Sequence, residues 1–508
     1  MSNAISKIMT GIEGFDFISS GGLPENRSTL VSGTPGSAKT IFAVQFLLEG
    51  ITKLDHNGVF VTFEETPEDI RRNIISLGWD IGQFEKEGKF AFVDASPEPG
   101  QEFEITGNYD LGALLARIEN AVKKIDAKRV SIDSLGAIFS QVTDHLIVRK
   151  ELFKLTTILK RMGATSILTA ERTTTYGDIA RFGIEEFITD NVVILRNALH
   201  DEKRLRTVEI LKLRGANHLK GEFRFTITPD RGIVIIPLSS MELAQQSTDM
   251  RVASGNTELD KMCGGGFFRN SVILCSGATG TGKTLMVTEF MNGGTDNNER
   301  RLLFTYEESE EQLFRNATGW GVDYKTMVEN GNMKIVFSYP ETKSLEDHLI
   351  EMKSLINEYK PDRVALDSLS SLERVSTEKG FREFLIALTS FIKFKELTSL
   401  FTSTTTSLMG GSSGTEGHIS TITDSIILMR YVELYGEMHR GLTVLKMRGS
   451  QHDKSIRRYE IDGSGMHIKE PFRNVSGILT GKFTYLTSSE LERMSEVFKQ
   501  SETVSMNI

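Results

Sequence analysis

The chain contains two tandem copies of one structural unit, and this repeat constrains its fold more than any other feature. The segment TGIEGFDFISSGGLPENRSTLVSGTPGSAKTIFAVQF, which begins at Thr10, corresponds to SGNTELDKMCGGGFFRNSVILCSGATGTGKTLMVTEF, which begins at Ser254. Further matches follow, and equivalent positions stay roughly 240 residues apart along the whole unit. We therefore predict two tandem domains, residues 1–240 and 241–485, followed by a C-terminal tail, residues 486–508.

Within each copy, short β-rich runs alternate with amphipathic helical patterns. In the first copy the predicted strands are STLVSG, GVFVTF, KRVSID, ATSILTA and NVVILR. This alternation predicts an α/β fold with a sheet that is parallel at its centre and helices on both faces. The later segments TVEILKLRG and EFRFTITPDRGIVII predict antiparallel strands added at one edge.

Composition excludes several classes of protein. The 508 residues carry a formal net charge of −9, which argues against a dedicated nucleic-acid binder. The two cysteines, Cys263 and Cys275, have neither metal spacing nor a redox motif, so we expect buried thiols. No apolar run approaches the ~18 residues that would span a bilayer, and the N-terminus lacks a signal core. We therefore expect a cytoplasmic protein.

Each copy contains a glycine-rich loop between a strand and a helix. Residues 277–284, GATGTGKT, satisfy the phosphate-loop pattern, in which Lys283 reaches the phosphates and the Thr284 hydroxyl reaches Mg²⁺. Residues 33–40, GTPGSAKT, have Ala38 in place of the last glycine, which is compatible with binding if the φ of Ala38 is negative. The predicted nucleotide-binding residues of the two loops are Thr34, Gly36, Ser37, Ala38, Lys39 and Thr40, and Thr279, Gly280, Thr281, Gly282, Lys283 and Thr284.

Acidic residues follow two other predicted strands in both copies. Asp133 and Asp367 end the strands and are suited to hold Mg²⁺ through water, although a strand-ending aspartate can instead cap the next helix. The doublets Glu64-Glu65 and Glu307-Glu308 are our candidate catalytic residues, because one member of each can face the nucleotide and activate the attacking group. A solvated acidic turn is the alternative. The candidate metal ligands are Thr40, Asp133, Thr284, Glu307 and Asp367.

Two cations recur near the end of each copy, Lys212 with Arg214 and Lys446 with Arg448. Strand alternation places both members of a pair on one face. They are either surface charges or cations that contact the γ-phosphate of a nucleotide bound to a neighbouring subunit. The second interpretation implies a ring of subunits.

The copies differ where GIEEFITDNV in the first aligns with GHISTITDSI in the second. Glu186 and Phe187 stand opposite Ser420 and Thr421. Two adjacent hydroxyls are acceptors for phosphoryl transfer, whereas a helix cap is the structural alternative.

Together the two phosphate loops, the Glu-Glu doublets, Val-x-Ile/Leu-Asp-Ser, Lys-Leu/Met-Arg-Gly and HISTITDSIILMRYVE resemble the KaiC family. This family comprises double-domain ATPases of the cyanobacterial circadian clock and their bacterial relatives. The resemblance implies two RecA-like P-loop NTPase domains that stack as a double-ring homohexamer, with ATP and Mg²⁺ bound between subunits. It also implies slow hydrolysis in the first ring, with Glu64 as general base. The second ring would be an autokinase and autophosphatase acting on Ser420 and Thr421, with Glu307 as base.

The resemblance also assigns further contacts. The additional nucleotide-binding positions that it implies are Ser76, Leu213 and His218 in the first ring and Trp320, Arg440, Met447, Ser450 and His452 in the second. Thr415 matches a further phosphorylated position of the family. The departures are Ala38 and Gln451, which stands where the family commonly has Trp. The match fades after Gly481, in the region that recruits the activator KaiA, so the resemblance supports a KaiB-like partner rather than a KaiA-like one.

The leading hypothesis is thus an ATP-driven autokinase with ATPase activity that acts in a clock or in timing and stress signalling. A DNA-dependent RecA-like recombination or helicase motor is one alternative, although no Lys/Arg cluster for a pore stands out. The other alternative is a nucleotide-gated scaffold that never phosphorylates itself. We expect no nucleic-acid partner and no membrane association.

Overall fold

The chain divides into two units, Met1–Ser240 and Met241–Ile508, and each described part contains one nine-stranded sheet. The computed structural model describes residues 5–95, 111–139, 144–181, 183–200, 203–236, 248–294, 298–405, 419, 421–473, 475–478 and 484–485. The predicted tail, residues 486–508, lies outside these residues, as do Thr415 and Ser420. Two parallel-rich sheets in tandem confirm the α/β prediction.

The first unit alternates strands and helices along the chain. Its elements are β1 (Lys7–Ile8), α1 (Phe15–Ile18), β2 (Leu23–Pro24), β3 (Ser28–Gly33), α2 (Lys39–Leu54), β4 (Gly58–Thr62), α3 (Pro67–Ile75), α4 (Ile81–Lys86), β5 (Phe90–Asp94), α5 (Gly112–Ile125), β6 (Arg129–Asp133), α6 (Leu135–Ile138), α7 (His145–Arg161), β7 (Thr165–Glu171), α8 (Glu185–Ile188), β8 (Asn191–His200), β9 (Lys203–Leu213), β10 (Glu222–Thr228) and β11 (Gly232–Ile235).

The second unit follows the same order. Its elements are β12 (Arg251–Val252), α9 (Thr257–Met262), β13 (Phe267–Phe268), β14 (Val272–Gly277), α10 (Lys283–Asn292), β15 (Arg301–Thr305), α11 (Glu310–Gly319), α12 (Tyr324–Glu329), β16 (Met333–Phe337), a 3₁₀ turn (Pro340–Thr342), α13 (Leu345–Tyr359), β17 (Arg363–Asp367), α14 (Leu369–Arg374), α15 (Glu378–Phe394), β18 (Thr398–Thr404), β19 (Ser425–Leu434), β20 (Glu437–Met447), β21 (Arg457–Asp462), β22 (Gly465–Pro471), β23 (Val475–Ser476) and β24 (Thr484–Tyr485).

The two large sheets have equivalent strand orders, β11-β10-β9-β8-β3-β7-β6-β4-β5 and β16-β15-β17-β18-β14-β19-β20-β21-β22. Strands β3 to β8 pair in parallel, and β9, β10 and β11 extend the edge in antiparallel fashion, as predicted. Strand β8 continues past the predicted Arg196 to His200 because its hairpin partner β9 supplies hydrogen bonds as far as Lys203. The less apolar residues Asn197–His200 gave no strand signal by themselves.

Both faces of the first sheet are buried. Adjacent residues of β3 enter different hydrophobic clusters, Val31 the one that contains helix α2 and Leu30 the one that contains helices α5 and α7. Successive side chains of a strand point to opposite faces of the sheet, and here both faces of β3 are covered. All residues of β3 are therefore buried. A rigid central strand therefore positions the loop that follows Gly33. No described helix combines the length and apolar character needed to cross a bilayer.

Candidate functional site

In each unit a short loop joins the central strand of the sheet to a long helix. Strand β3 ends at Gly33 and helix α2 begins at Lys39, while β14 ends at Gly277 and α10 begins at Lys283. The Nζ atom of Lys39 donates to the Gly33 carbonyl at 3.0 Å, and that of Lys283 donates to the Ala278 carbonyl at 3.1 Å. Each ammonium therefore lies over its own loop, at a helix N-terminus whose free N–H groups suit a phosphate.

Burial disfavours the charged form of both lysines. It lowers the pKa of Lys39, and the carboxylates of Asp133, Glu171 and Glu64 oppose that change. Burial also lowers the pKa of Lys283. An anionic phosphate chain would oppose the same change, because an opposite charge favours the ammonium form.

Ala38 has a left-handed backbone conformation, with φ 73°. The expectation of a negative φ is therefore wrong. Ala38 has the same left-handed conformation as Gly282, the equivalent residue of the second loop, whose φ is 97°. A non-glycine residue in this region costs about 1–2 kcal/mol. The second loop has an additional reason to keep glycine, because a Cβ on Gly282 would lie 2.7 Å from the Cδ1 atom of Ile461.

The strand-ending aspartates contact the threonine of each loop. Thr40 Oγ1 donates to Asp133 Oδ2 at 2.6 Å, and Thr284 Oγ1 donates to Asp367 Oδ2 at 2.8 Å. A second threonine, Thr169 in the first unit and Thr402 in the second, donates to the other carboxylate oxygen. Both oxygens therefore bond to threonines rather than to helix N–H groups.

These oxygen donors fit Mg²⁺, which prefers hydroxyl, carboxylate and water ligands. Burial raises the pKa of the Asp367 carboxyl, and hydrogen bonds from the two threonines oppose that change. A divalent cation next to this carboxylate would further favour its charged form.

The first glutamate of each doublet faces the segment after the aspartate strand. Ser134 Oγ donates to Glu64 Oε1 at 3.2 Å. In the second unit Ser368 and Ser371 donate to Glu307 Oε1 at 2.8 and 2.6 Å. The first glutamate is thus held close to the candidate metal ligand in both units.

The second glutamate of each doublet is held by an asparagine that sequence reasoning missed. Asn73 Nδ2 donates to Glu65 Oε2 at 3.0 Å, and Asn316 Nδ2 donates to both oxygens of Glu308 at 3.3 and 3.4 Å. Both asparagines follow their glutamate by eight positions, so the repeat itself contained the signal. They project from α3 and α11, which begin directly after the doublets.

One glutamate of each doublet lies in an environment that disfavours its charge. Burial raises the pKa of Glu64, and the nearby Glu171 carboxylate adds to the increase. Burial likewise raises the pKa of Glu308, with Asp367 as the next cause. The raised pKa makes Glu64 a stronger proton acceptor, which suits a general base.

The cation pairs lie at the other end of the sheet from the loop of their own unit. Lys212 pairs across the sheet with Val192, which is level with Leu30, whereas the loop begins after Gly33. In the second unit Lys446 pairs with Ile426, which is level with Leu274, whereas the loop begins after Gly277. Three strand residues, or roughly 10 Å, separate the two levels in each unit.

The second-unit cations hold the segment that precedes β19. Arg448 Nη2 donates to the Thr421 carbonyl at 2.7 Å, and Lys446 Nζ donates to the Thr423 carbonyl at 2.8 Å. Thr421 itself is exposed. In the first unit Lys212 Nζ donates to the carbonyls of Glu186 and Thr189 at 2.9 and 2.7 Å. The same framework therefore supports Phe187 in one unit and Thr421 in the other.

The other predicted contacts lie either at the loop end of the sheet or at the end with the cation pairs. Ser76 lines a cavity of about 230 Å³ beside the first loop, together with Thr40, Glu65 and Asn73. In the second unit, Trp320 follows the last residue of α11 and packs against the hydrophobic core.

Arg440 lies on the loop side, in register between Tyr431 and Tyr459. The hydroxyls of those two tyrosines donate to the carbonyls of Thr279 and Thr281 at 3.4 and 2.5 Å. Arg440 is thus associated with the loop of its own chain.

The remaining predicted positions lie at or beyond the cation pairs. Leu213 and Met447 are buried in the core, so only their backbone is available to a ligand. Ser450 Oγ accepts a hydrogen bond from Arg251 at 2.6 Å. His218 is half-buried, and both ring nitrogens of His452 lack a hydrogen-bond partner among the described residues.

Comparison with known proteins places these features in a family. A family model described as "ATPase: KaiC" matches residues 8–240 and again residues 252–472. The chain is 64% identical over 499 residues to circadian clock protein KaiC3 of Synechocystis sp., covering 98% of this chain and 99% of that protein. It is 54% identical over 497 residues to circadian clock oscillator protein KaiC of Synechococcus elongatus, with 98% and 95% covered. It is also 52% identical over 498 residues to KaiC of Thermostichus vulcanus, with 98% and 96% covered.

Proposed function

The chain belongs to the KaiC family of ATPases, and we propose that it is a self-phosphorylating timing ATPase that works as a double-ring homohexamer. Its first domain would hydrolyse ATP slowly, and its second would transfer phosphate to and from Ser420 and Thr421. The observation that carries this proposal is the placement of phosphate loop and cation pair at opposite ends of each sheet.

That placement supports a site shared between subunits. Lys446 and Arg448 are too far from the loop of their own chain to touch its γ-phosphate, by the ~10 Å of strand plus the loop itself. A head-to-tail neighbour would bring its loop to these cations and close a ring. Thr421 lies at the same end as Arg448, so the acceptor too would meet a neighbour's ATP.

The chemistry of the first domain would be attack by water on the γ-phosphorus. Glu64 would accept the proton, Lys39 would stabilise charge on the phosphate oxygens, and Arg214 of a neighbour would add a second cation. Mg²⁺, held by Thr40 and Asp133, would neutralise charge on the phosphates when bound.

In the second domain a protein hydroxyl would replace the water. Glu307 would take the proton from Ser420 or Thr421 of the neighbour, and the γ-phosphoryl group would pass to the hydroxyl oxygen. Each phosphate would add about −1.5 to −2 charges beside Lys446 and Arg448. The phosphorylated segment would therefore bind these cations differently from the free one.

The first test is to incubate the purified chain with Mg-ATP and map phosphate by mass spectrometry. We expect phosphate on Ser420 and Thr421 in the wild type and in Lys39→Ala, but none in Lys283→Ala. Nucleotide turnover with no phosphate on either residue in any variant would reduce the protein to an ATPase ring or a scaffold.

Transfer between subunits has a sharper test. Lys283→Ala subunits keep their acceptors but lose the loop lysine, whereas Ser420→Ala/Thr421→Ala subunits keep the loop but lose the acceptors. We expect each variant alone to remain unphosphorylated and the mixture to gain phosphate on the Lys283→Ala subunits only. A mixture that stays unphosphorylated, with a wild-type control that labels normally, would contradict a shared site.

The relatives' names place them in circadian clocks. We extend this role to the present chain, with a KaiB-like protein as the partner of the first domain. Binding of purified KaiB-like protein to the wild type and to a Ser420→Glu/Thr421→Glu variant measures whether phosphate state controls docking. Identical weak binding by both would argue against a clock partner.

A further inference from the structure

A third carboxylate lies beside the first phosphate loop, at the end of strand β7. Glu171 pairs in register with Gly33, the residue at which the loop begins, and the next backbone N–H, that of Arg172, donates to the Gly33 carbonyl at 3.1 Å. Its side chain is half-buried, and its charge acts on both Lys39 and Glu64. Glu171 therefore belongs to the same pocket as the proposed hydrolytic residues.

Gly136 lies beside this carboxylate. A Cβ on Gly136 would lie 3.5 Å from Glu171 Oε2 and 3.6 Å from Ser134 Oγ. The Glu171 carboxylate and the Ser134 hydroxyl thus both lie at van der Waals distance from the Cβ position of Gly136. That hydroxyl in turn donates to Glu64 at 3.2 Å, so Ser134 lies close to both Gly136 and Glu64.

The second unit changes both positions together. Ser370 takes the place of Gly136 at the start of the short helix α14, and Thr404 takes the place of Glu171 at the end of β18. The Thr404 N–H donates to Ser370 Oγ at 2.7 Å. One unit therefore has glycine with glutamate, and the other has serine with threonine, around equivalent loops.

The exchange alters the charge of the pocket. In the first unit Asp133, Glu171 and Glu64 act on the loop lysine, whereas in the second Asp367 and Glu307 are the carboxylates that act on Lys283. The first pocket thus has an additional anion on the side of β7, close to Glu64. A second carboxylate beside a general base strengthens its hold on a proton taken from water.

We propose that Glu171 is a positioning residue for hydrolysis in the first domain, where it acts through Glu64 on the attacking water. This inference rests on the proposed function. In the step concerned, the water oxygen bonds to the γ-phosphorus, the bond from that phosphorus to the β–γ bridging oxygen breaks, and the proton goes to Glu64. ADP and inorganic phosphate leave. The Ser370–Thr404 pair leaves this place uncharged in the domain whose acceptor is a protein hydroxyl.

The test is Glu171→Gln, which keeps the shape of the side chain and removes its charge. Steady-state ATP turnover is measured on the full-length chain in the Ser420→Ala/Thr421→Ala background, so that no turnover passes through the phosphorylated protein. We expect kcat to fall about 10- to 100-fold with KM for ATP changed less than about twofold. Glu171→Asp should recover part of the loss. Glu119→Gln on α5, whose side chain is 44% exposed, should match the parent.

The exchange between units supplies a second test. Gly136→Ser/Glu171→Thr gives the first pocket the second unit's pair, and we expect it to lose hydrolysis while still binding a fluorescent ATP analogue. A raised KM with unchanged kcat would mean that Glu171 only shapes the nucleotide pocket, which overturns the inference. Unchanged kcat in Glu171→Gln, with turnover abolished by Lys39→Ala, would also overturn it and leave the proposed function intact. Turnover that survives Lys39→Ala would instead refute hydrolysis in the first domain.

Discussion

Single side chains distinguish two pockets that share one backbone plan. Asn73 and Asn316 each donate a hydrogen bond to the second glutamate of a doublet, which is a contact common to both units. Ala38 and Gly282 instead mark a difference, because both have positive φ and only one is glycine. Each observation leads to a substitution whose effect is confined to one pocket.

Asn316→Asp should slow phosphate incorporation into the protein by about 10- to 100-fold, because a hydrogen bond to a charged group is lost and a like charge replaces it. The rate is measured from the appearance of phosphate on Ser420 and Thr421. Exposed Asn357→Asp on α13 makes the same chemical change away from the pocket and should leave the rate unchanged. An Asn316→Asp rate equal to the wild type would mean that Glu308 needs no such support.

Ala38→Gly should stabilise the nucleotide-free first domain by about 1 kcal/mol, since glycine adopts the left-handed conformation without strain. Thermal unfolding without nucleotide measures the change. The reciprocal Gly282→Ala should destabilise the second domain by more than this amount. Its Cβ would clash with Ile461, and alanine also disfavours the positive φ of this position. A destabilised Ala38→Gly protein would show that glycine's extra unfolded-state entropy outweighs the relief of strain.

At the scale of elements, one polar side chain ties each loop helix to the outer hairpin. Gln45 on α2 donates to the Arg231 carbonyl at 2.9 Å and accepts from the Ile233 N–H at 2.7 Å. At the equivalent place on α10, Glu289 accepts from the Met466 N–H at 2.7 Å and from Asn256 Nδ2 at 3.1 Å. The second unit therefore has an ionisable side chain at the position where the first has a neutral one.

Burial raises the pKa of Glu289 from its ordinary 4.5 to about 7. The folded state then holds a proton that the unfolded state releases, so the stability contributed by this group falls as pH rises from about 4.5 to about 7 and stays low above it. The slope is at most about 1.4 kcal/mol per pH unit.

Unfolding of Glu289→Gln and wild type, followed from about pH 5 to about pH 8, tests this linkage. We expect the variant to lose part of the wild-type decline, and Gln45→Glu to gain a decline in the first unit. Parallel pH curves for Glu289→Gln and wild type would show that Glu289 remains ionised across this range.

At the scale of the whole molecule, the proposed shared site would need two copies of the chain. The loop and the cation pair of one unit face opposite ends of the sheet, so under this proposal each chain would offer half of two different sites. Catalysis would then depend on assembly, since a lone subunit would lack the second cation at its phosphate.

Mixing Lys39→Ala subunits with Arg214→Ala subunits tests this arrangement for hydrolysis. Each variant alone should have little first-domain turnover. Random mixing leaves an intact loop facing an intact Arg214 at about a quarter of the interfaces, so about a quarter of wild-type turnover should return. Arg149→Ala, an exposed arginine on α7, replaces Arg214→Ala in the control mixture. If turnover stays additive, Arg214 acts in its own chain or not at all.

Local patterns in the sequence determined much of this protein. The repeat, the strand-loop-helix context of Lys39 and Lys283, and the aspartates that end β6 and β17 are all read from neighbours along the chain, and the family follows from them. These features were predictable because backbone geometry and phosphate binding at a helix N-terminus depend on a few consecutive residues.

Only the tertiary structure decided which side chains meet. Glu171 faces Gly136, Asn316 reaches Glu308 and Lys446 lies away from Lys283 because sheet register and helix packing join distant segments. The positive φ of Ala38 was likewise set by the loop rather than by alanine's own preference. Hydrogen-bond register across a sheet is a long-range choice, and it is this choice that separates the cations from the loop of their own chain.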